Sequence, residues 1–130
     1  MTQPNKAQEW NVLLVNVQDN PDAKIDDSTF EQTWNWIATP AGWKPEDDIP
    51  IEVDHLNGII VFSKLYEEQT IRELCETLHN KPRFKGVPIL VAVTQYQMPL
   101  ANRVKEMEMG EFIFSPLHEQ DLLKRFNRLG

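Results

Sequence analysis

The sequence predicts an α/β protein built on a doubly wound parallel sheet in three layers, and three observations carry that expectation. Short apolar runs rich in Val and Ile lie at 11–17 (NVLLVNV), 58–62 (GIIVF) and 87–93 (VPILVAV), apolar nearly throughout, as strands covered on both faces are. Stripes of apolar residues at helical spacing fill the gaps between them. The length of 130 residues, with 41% hydrophobic and 25% charged side chains, is about one domain's worth and enough to bury a core without staples.

Taken in order, residues 1–8 read as a polar, loose terminus, and 9–130 as a single domain with no repeat or low-complexity tract. The run 11–17 is the first strand. A second strand is expected near 34–39, where Trp34 and Trp36 would share one face and at least one of them would pack against a helix. The stretch 49–56 fits either an alternating strand or a short helix capped by Asp48. A strand there would leave only 54–57 to join it in parallel to 58–62, and a parallel crossover needs about a dozen residues, so the short helix is preferred. An antiparallel edge pairing is the alternative. After the strand 58–62, Ile71, Leu74, Cys75 and Leu78 recur at i, i+3, i+4, i+7, with Glu67 and Glu68 at the amino end and Asn80 and Pro82 marking the stop. The strand 87–93 precedes a weaker helix over 100–107. A fifth strand, 111–114 (EFIF), follows Gly110. Leu122, Leu123, Phe126 and Leu129 then form the stripe of a last helix, with Lys124, Arg125 and Arg128 in its final turns. Strands and helices of this size in alternation indicate right-handed crossovers and layered packing.

Charge and cysteine content narrow the function classes. The net charge of −7 repels phosphate backbones and argues against sequence-independent nucleic-acid binding. It is unevenly spread: over 19–54 ten acids face two bases, leaving that segment at −8 and the rest of the chain at +1. Such a segment is a solvated face, or a docking patch for a basic partner. No apolar stretch approaches the roughly 20 residues of a membrane span, no signal peptide is expected, and the single Cys75 cannot form an internal disulfide, so a reducing, cytoplasmic setting is expected.

In open α/β sheets chemistry gathers at the carboxyl ends of the strands. Here those positions hold Asn16 and Val17, Ser63, Thr94, and Ser115 with Pro116, and none is a carboxylate or a lysine. The order of elements resembles the receiver domain of two-component response regulators, a flavodoxin-like (βα)5 fold with five parallel strands. The segment VPILVAVTQY resembles that family's fourth strand with its switch Thr. MGEFIFSPLHEQDLLKRFNRL resembles the fifth strand, the cis-Pro turn at Pro116 and the last helix, and NVLLVNV resembles the first strand. The likeness covers 58–129 most closely, whereas 18–57 match by spacing alone.

The resemblance implies a pocket whose working groups are mostly replaced. The family's Mg²⁺-binding acidic pair corresponds to Asn16 and Val17, its phospho-accepting Asp to Ser63, and its Lys before the Pro to Ser115. Thr94 and the switch aromatic Phe112 remain. An acyl phosphate needs a carboxylate nucleophile with metal and cationic stabilisation. Ser63 has no adjacent base, and Val17 offers Mg²⁺ only a backbone carbonyl. The expectation is therefore a degenerate pseudo-receiver, not an enzyme, with no metal or cofactor, that works by contact with a protein partner. By resemblance that contact uses the face of the family's fourth helix, fifth strand and fifth helix, here about 100–128. Neither nucleic acid nor membrane is an expected partner, and a homodimer is compatible with the sequence. Two alternatives stay open: a phosphorylatable receiver using a shifted carboxylate such as Asp19 or Asp22, and a flavodoxin-like domain holding a neutral polar ligand among Asn16, Ser63, Thr94 and Ser115.

Other constellations are weaker. No G-x-x-x-x-G-K-[ST] follows the first strand, so no nucleotide phosphate cradle is expected, and no Gly, Ser or Thr stands there for an FMN phosphate. The run 54–58 is one residue short of a cobalamin motif. Cys75 and His79 lie four apart on one helix, but no further metal ligand joins them; Cys75 is read as core, His79 as surface and His118 as a helix-start residue. Among the four Trp residues, Trp43 in the acidic loop TPAGWKPEDD is the expected exposed anchor.

Overall fold

The computed structural model describes residues 9–15, 25, 27–40, 42–44, 47, 55–62, 68–93, 102, 110–114 and 117–129. Five strands, β1 (Glu9–Val15), β2 (Thr33–Ala38), β3 (Gly58–Phe62), β4 (Ile89–Val93) and β5 (Gly110–Phe114), form one sheet in the order β2-β1-β3-β4-β5, and every pairing is parallel. Two helices are described in full, α1 (Glu68–Asn80) and α2 (Glu119–Leu129). The expected α/β class with a five-stranded parallel sheet is therefore present.

The continuous apolar runs are interior strands for the reason that made them legible: β3 and β4 are buried at every position, so neither face can carry a polar side chain cheaply. Alternation along the strands divides the core in two. Leu13, Val15, Ile59, Val61, Ile89 and Val91 point to one face, where Ile71, Leu74, Cys75 and Leu78 of α1 cover them. Val12, Leu14, Ile60, Phe62, Leu90 and Ile113 point to the other, where Leu122 and Phe126 of α2 cover them. The period of two in the sheet and the period of about 3.6 in each helix thus meet, among the described residues, in α1 on one face and α2 on the other.

Asn11 is a polar residue at the head of the first apolar run, and its hydrogen bonds account for it. Its backbone N–H donates to Asn57 Oδ1 at 2.8 Å, its carbonyl accepts the Asn57 N–H at 2.8 Å, its Nδ2 donates to the His55 carbonyl at 3.2 Å, and its Oδ1 accepts from Asn35 Nδ2 at 3.0 Å. This polar row fixes β1, β2 and the turn into β3 in register at the amino end of the sheet. α1 stops where Pro82 opens a 3-10 turn (Pro82–Phe84) that buries Phe84 in the first core. Gly86, at φ +78°, then takes the left-handed conformation that lets so short a connection turn into β4.

Several boundaries and one placement differ from the sequence reading. β1 begins at Glu9 rather than at 11, because its pairing with β2 begins at Glu9↔Thr33, and residues 16–17 of the expected strand lie outside the described residues. β2 starts and ends one residue earlier than expected, and β4 begins at Ile89 because Pro88 has no N–H to give the ladder, although its carbonyl accepts the Ile59 N–H at 2.9 Å. Of the short helix expected over 49–56 only His55 and Leu56 are described; neither is helical, and Leu56 is buried in the first core. Of the helix expected over 100–107 only Asn102 is described, and it is helical. The loose terminus 1–8 and seven of the ten acids of the acidic segment 19–54 lie outside the described residues.

Trp43 is the clear correction. It is not an exposed anchor but 8% exposed, packed into the first core. Its N–H donates to the Pro40 carbonyl at 3.1 Å, Gly42 turns the chain at φ +74°, and Lys44 and Asp47 close the next turn with 2.9 and 2.8 Å bonds. The chain folds back after β2, and an indole that reaches the core gains more from burial than from display.

Candidate functional site

Register places the carboxyl ends of four strands side by side: Val15 pairs with Val61, Phe62 with Ala92, and Val93 with Phe114. The positions expected to make the pocket, Asn16, Val17, Ser63, Thr94, Ser115 and the Pro116 turn, each follow one of these ends in sequence and lie outside the described residues. Phe112 is described. It is half-buried against the first core, and its ring meets that of Phe114 edge-on at 5.2 Å between centroids. The Phe112 carbonyl accepts the Arg125 Nε–H at 3.0 Å, a link between β5 and α2 that spacing alone did not indicate. Phe114 is 37% exposed, a large apolar side chain left at the surface of this edge strand.

The other chemistry-bearing residues resolve as follows. Cys75 is buried beneath α1, and burial, with the neighbouring Glu76 charge, pushes its thiol up to about 12, which leaves no thiolate for ligation or attack near neutrality. His79 is exposed at the end of α1. Among the described residues no three His, Cys, Asp or Glu side chains gather as metal ligands would. His118 stands at the start of α2, where its carbonyl accepts the Leu122 N–H at 3.0 Å, as expected of a helix-start residue.

The most organised polar arrangement is one the sequence reading missed. Glu119 Oε1 accepts the Glu31 N–H at 2.8 Å, while Oε2 accepts the Gln32 N–H at 2.9 Å and Trp34 Nε1–H at 2.7 Å. Partial burial opposes ionisation of this carboxyl, but the three N–H donors outweigh it and hold its pKa below the usual carboxylate range. The clasp joins the segment before β2 to the first turn of α2, 85 to 88 residues away in sequence. A second anchor holds the same segment from behind, because Trp36 Nε1–H donates to Asp27 Oδ2 at 2.9 Å.

Behind the clasp lies an aromatic stack. Trp34 stacks on Trp36 at 5.0 Å and on Trp10 at 5.4 Å, Trp10 stacks on Phe126 at 6.0 Å, and Phe30 closes edge-on against Trp34 at 5.9 Å. The expectation that one of Trp34 and Trp36 packs against a helix therefore holds through Phe126 of α2. In front of the clasp, residues 29–32 and 117–123 enclose an open groove of 940 Å³. Its floor is apolar, from Phe30, Leu117 and Leu123, and its rim carries Glu31, Glu119 and Asp121. No signal in the sequence ties Glu119 to Glu31, since neither periodicity nor spacing relates residues so far apart; only the position of Glu119 in the first turn of an amphipathic helix marks it as structurally useful. Comparison with protein-family models, curated proteins and solved structures finds no match for this chain.

Proposed function

We propose that this chain is a non-catalytic receiver-like module on a flavodoxin-like (βα)5 framework, acting in signalling or scaffolding through protein contacts without phosphorylation. One observation carries the reading: a parallel sheet in the order β2-β1-β3-β4-β5 with a helix on each face, whose strand-end positions in the sequence, Asn16, Val17, Ser63 and Ser115, offer neither carboxylate nor lysine. That strand order is shared by doubly wound flavodoxin-like sheets, where ligands meet the carboxyl ends. A neutral cup there cannot hold Mg²⁺ and drive attack on a phosphoryl group by the receiver mechanism.

The contact face assigned to this module is β5 with α2. Exposed Phe114, the Phe112 switch aromatic and the Arg125 link to its carbonyl support that choice, because they couple an apolar surface point to the backbone of an edge strand and to a helix. A cytoplasmic setting goes with the reading, and no helix among the described residues is long and apolar enough to cross a membrane. The test is direct: the full chain is incubated with Mg²⁺ and acetyl phosphate and its intact mass measured. An unchanged mass is expected. The gain of one phosphoryl group would overturn the proposal in favour of a receiver using a shifted carboxylate such as Asp19 or Asp22.

A further inference from the structure

We propose that the groove between residues 29–32 and the first two turns of α2 is the docking site for a cationic segment of a partner protein that carries an apolar side chain into its floor. The inference rests on the reading above in one respect, that the chain works by protein contact, and adds a second contact place, apart from the face of β5 with α2, together with the chemistry of its partner.

Four observations carry it. The groove, at 940 Å³, is open to solvent instead of enclosed, so an extended segment can enter it from the side. Its floor of Phe30, Leu117 and Leu123 supplies the apolar centre that gives an interface its energy, and polar groups surround it. Among the described lining residues the charges at the rim are all of one sign, Glu31, Glu119 and Asp121, with no Lys or Arg. Glu119 already spends its oxygens on the clasp, so Glu31 and Asp121, both exposed, are the carboxylates that face an incoming partner.

The clasp also explains why the groove can bind. Its two walls come from distant parts of the chain and would each cost conformational entropy to bring together. The bonds of Glu119 to Glu31, Gln32 and Trp34, backed by the Trp10, Trp34 and Trp36 stack, fix them before any partner arrives. Preorganisation of this kind removes part of the ordering cost from binding. Like-charge repulsion at the rim excludes acidic segments, so charge selects the partner while the floor holds it.

A phage-displayed library of short random peptides, selected on the full chain and followed by amide shift mapping, provides the test. Selected peptides are expected to pair Lys or Arg with Leu, Ile or Phe, and to shift the amides of Gln32, Leu117 and Leu123. Glu31→Lys together with Asp121→Lys should weaken them about tenfold or more, since reversed rim charges repel what they attracted. Should that double variant misfold by circular dichroism, exchanging Lys for Glu in the peptide against the natural chain makes the same comparison. No selected binder, binders indifferent to that exchange, or shifts confined to other surfaces would overturn the groove assignment. Phosphoryl transfer from acetyl phosphate, by contrast, would overturn the proposed function and leave the peptide result to stand by itself.

Discussion

Glu119 shows how much one carboxylate can organise when its partners are backbone N–H groups rather than cations. Three donors converge on its two oxygens, and a neutral amide cannot accept all of them: its one oxygen can take two, which turns its NH2 toward the remaining donor. Glu119→Gln should therefore destabilise the chain by about 1–2 kcal/mol at neutral pH, the value of charge-assisted bonds discounted for their contact with solvent. Because the folded pKa is lowered, the contribution is present above the unfolded carboxyl value and disappears as pH falls through the folded one. Urea unfolding of the natural chain and the variant should give midpoints that differ at pH 7 and converge under acid conditions. A constant gap at every pH would assign the effect to packing. Trp10 is the opposite case at this scale: its Nε1–H is buried without an acceptor among the described residues, at a cost of about 1–3 kcal/mol that the stacked indole area offsets.

The elements follow from patterns of different reach, and α2 illustrates the difference. Its apolar stripe names the face that packs, and Leu122 and Phe126 are indeed buried on the sheet. What the stripe cannot name is the place on the sheet that receives it, since that depends on which strand residue is small enough. Gly58 is that residue. A Cβ added there would collide with the Phe126 ring, and Gly58 opens β3 opposite Val12. The glycine is thus required by close approach, because the ring of α2 lies directly on the backbone of a central strand. Gly58→Ala should cost about 1–3 kcal/mol through displacement of Phe126, read as a lower thermal midpoint. The paired Gly58→Ala, Phe126→Leu variant should lose less than the sum of the two single changes, which a cycle of four proteins measures. Strict additivity would mean that the ring and the strand do not share the site.

At the scale of the molecule, the parallel sheet was legible because interior strands must be apolar on both faces, and Gly58–Phe62 and Ile89–Val93 meet that condition at every position. α1 and α2 were legible for the same reason with another period. Long-range pairings were not: the Glu119 clasp, the Asn11, Asn35 and Asn57 row and the inward turn of Trp43 all join residues that no local pattern relates. The candidate pocket was read from strand-end identities alone, whereas the groove needed the packing of α2 to exist. The division of the core has a consequence for cooperativity. β1, β3 and β4 contribute alternate residues to both cores, so neither face can be stripped without exposing the backs of strands that the other face still needs. The two cores should therefore unfold as one unit. Their tryptophans allow the check, because Trp43 lies in the first core while Trp10 lies in the second with Trp34 and Trp36 packed against it. Leu78→Ala, beneath α1 in the first core, should cost about 2–5 kcal/mol by leaving a cavity. In a Trp43→Phe background the remaining fluorescence reports the other face. Its denaturation midpoint should fall by the same amount as the helical signal in circular dichroism. A fluorescence transition left in place while the helical signal moved would mean that the faces melt separately, and that the shared strands do not couple them.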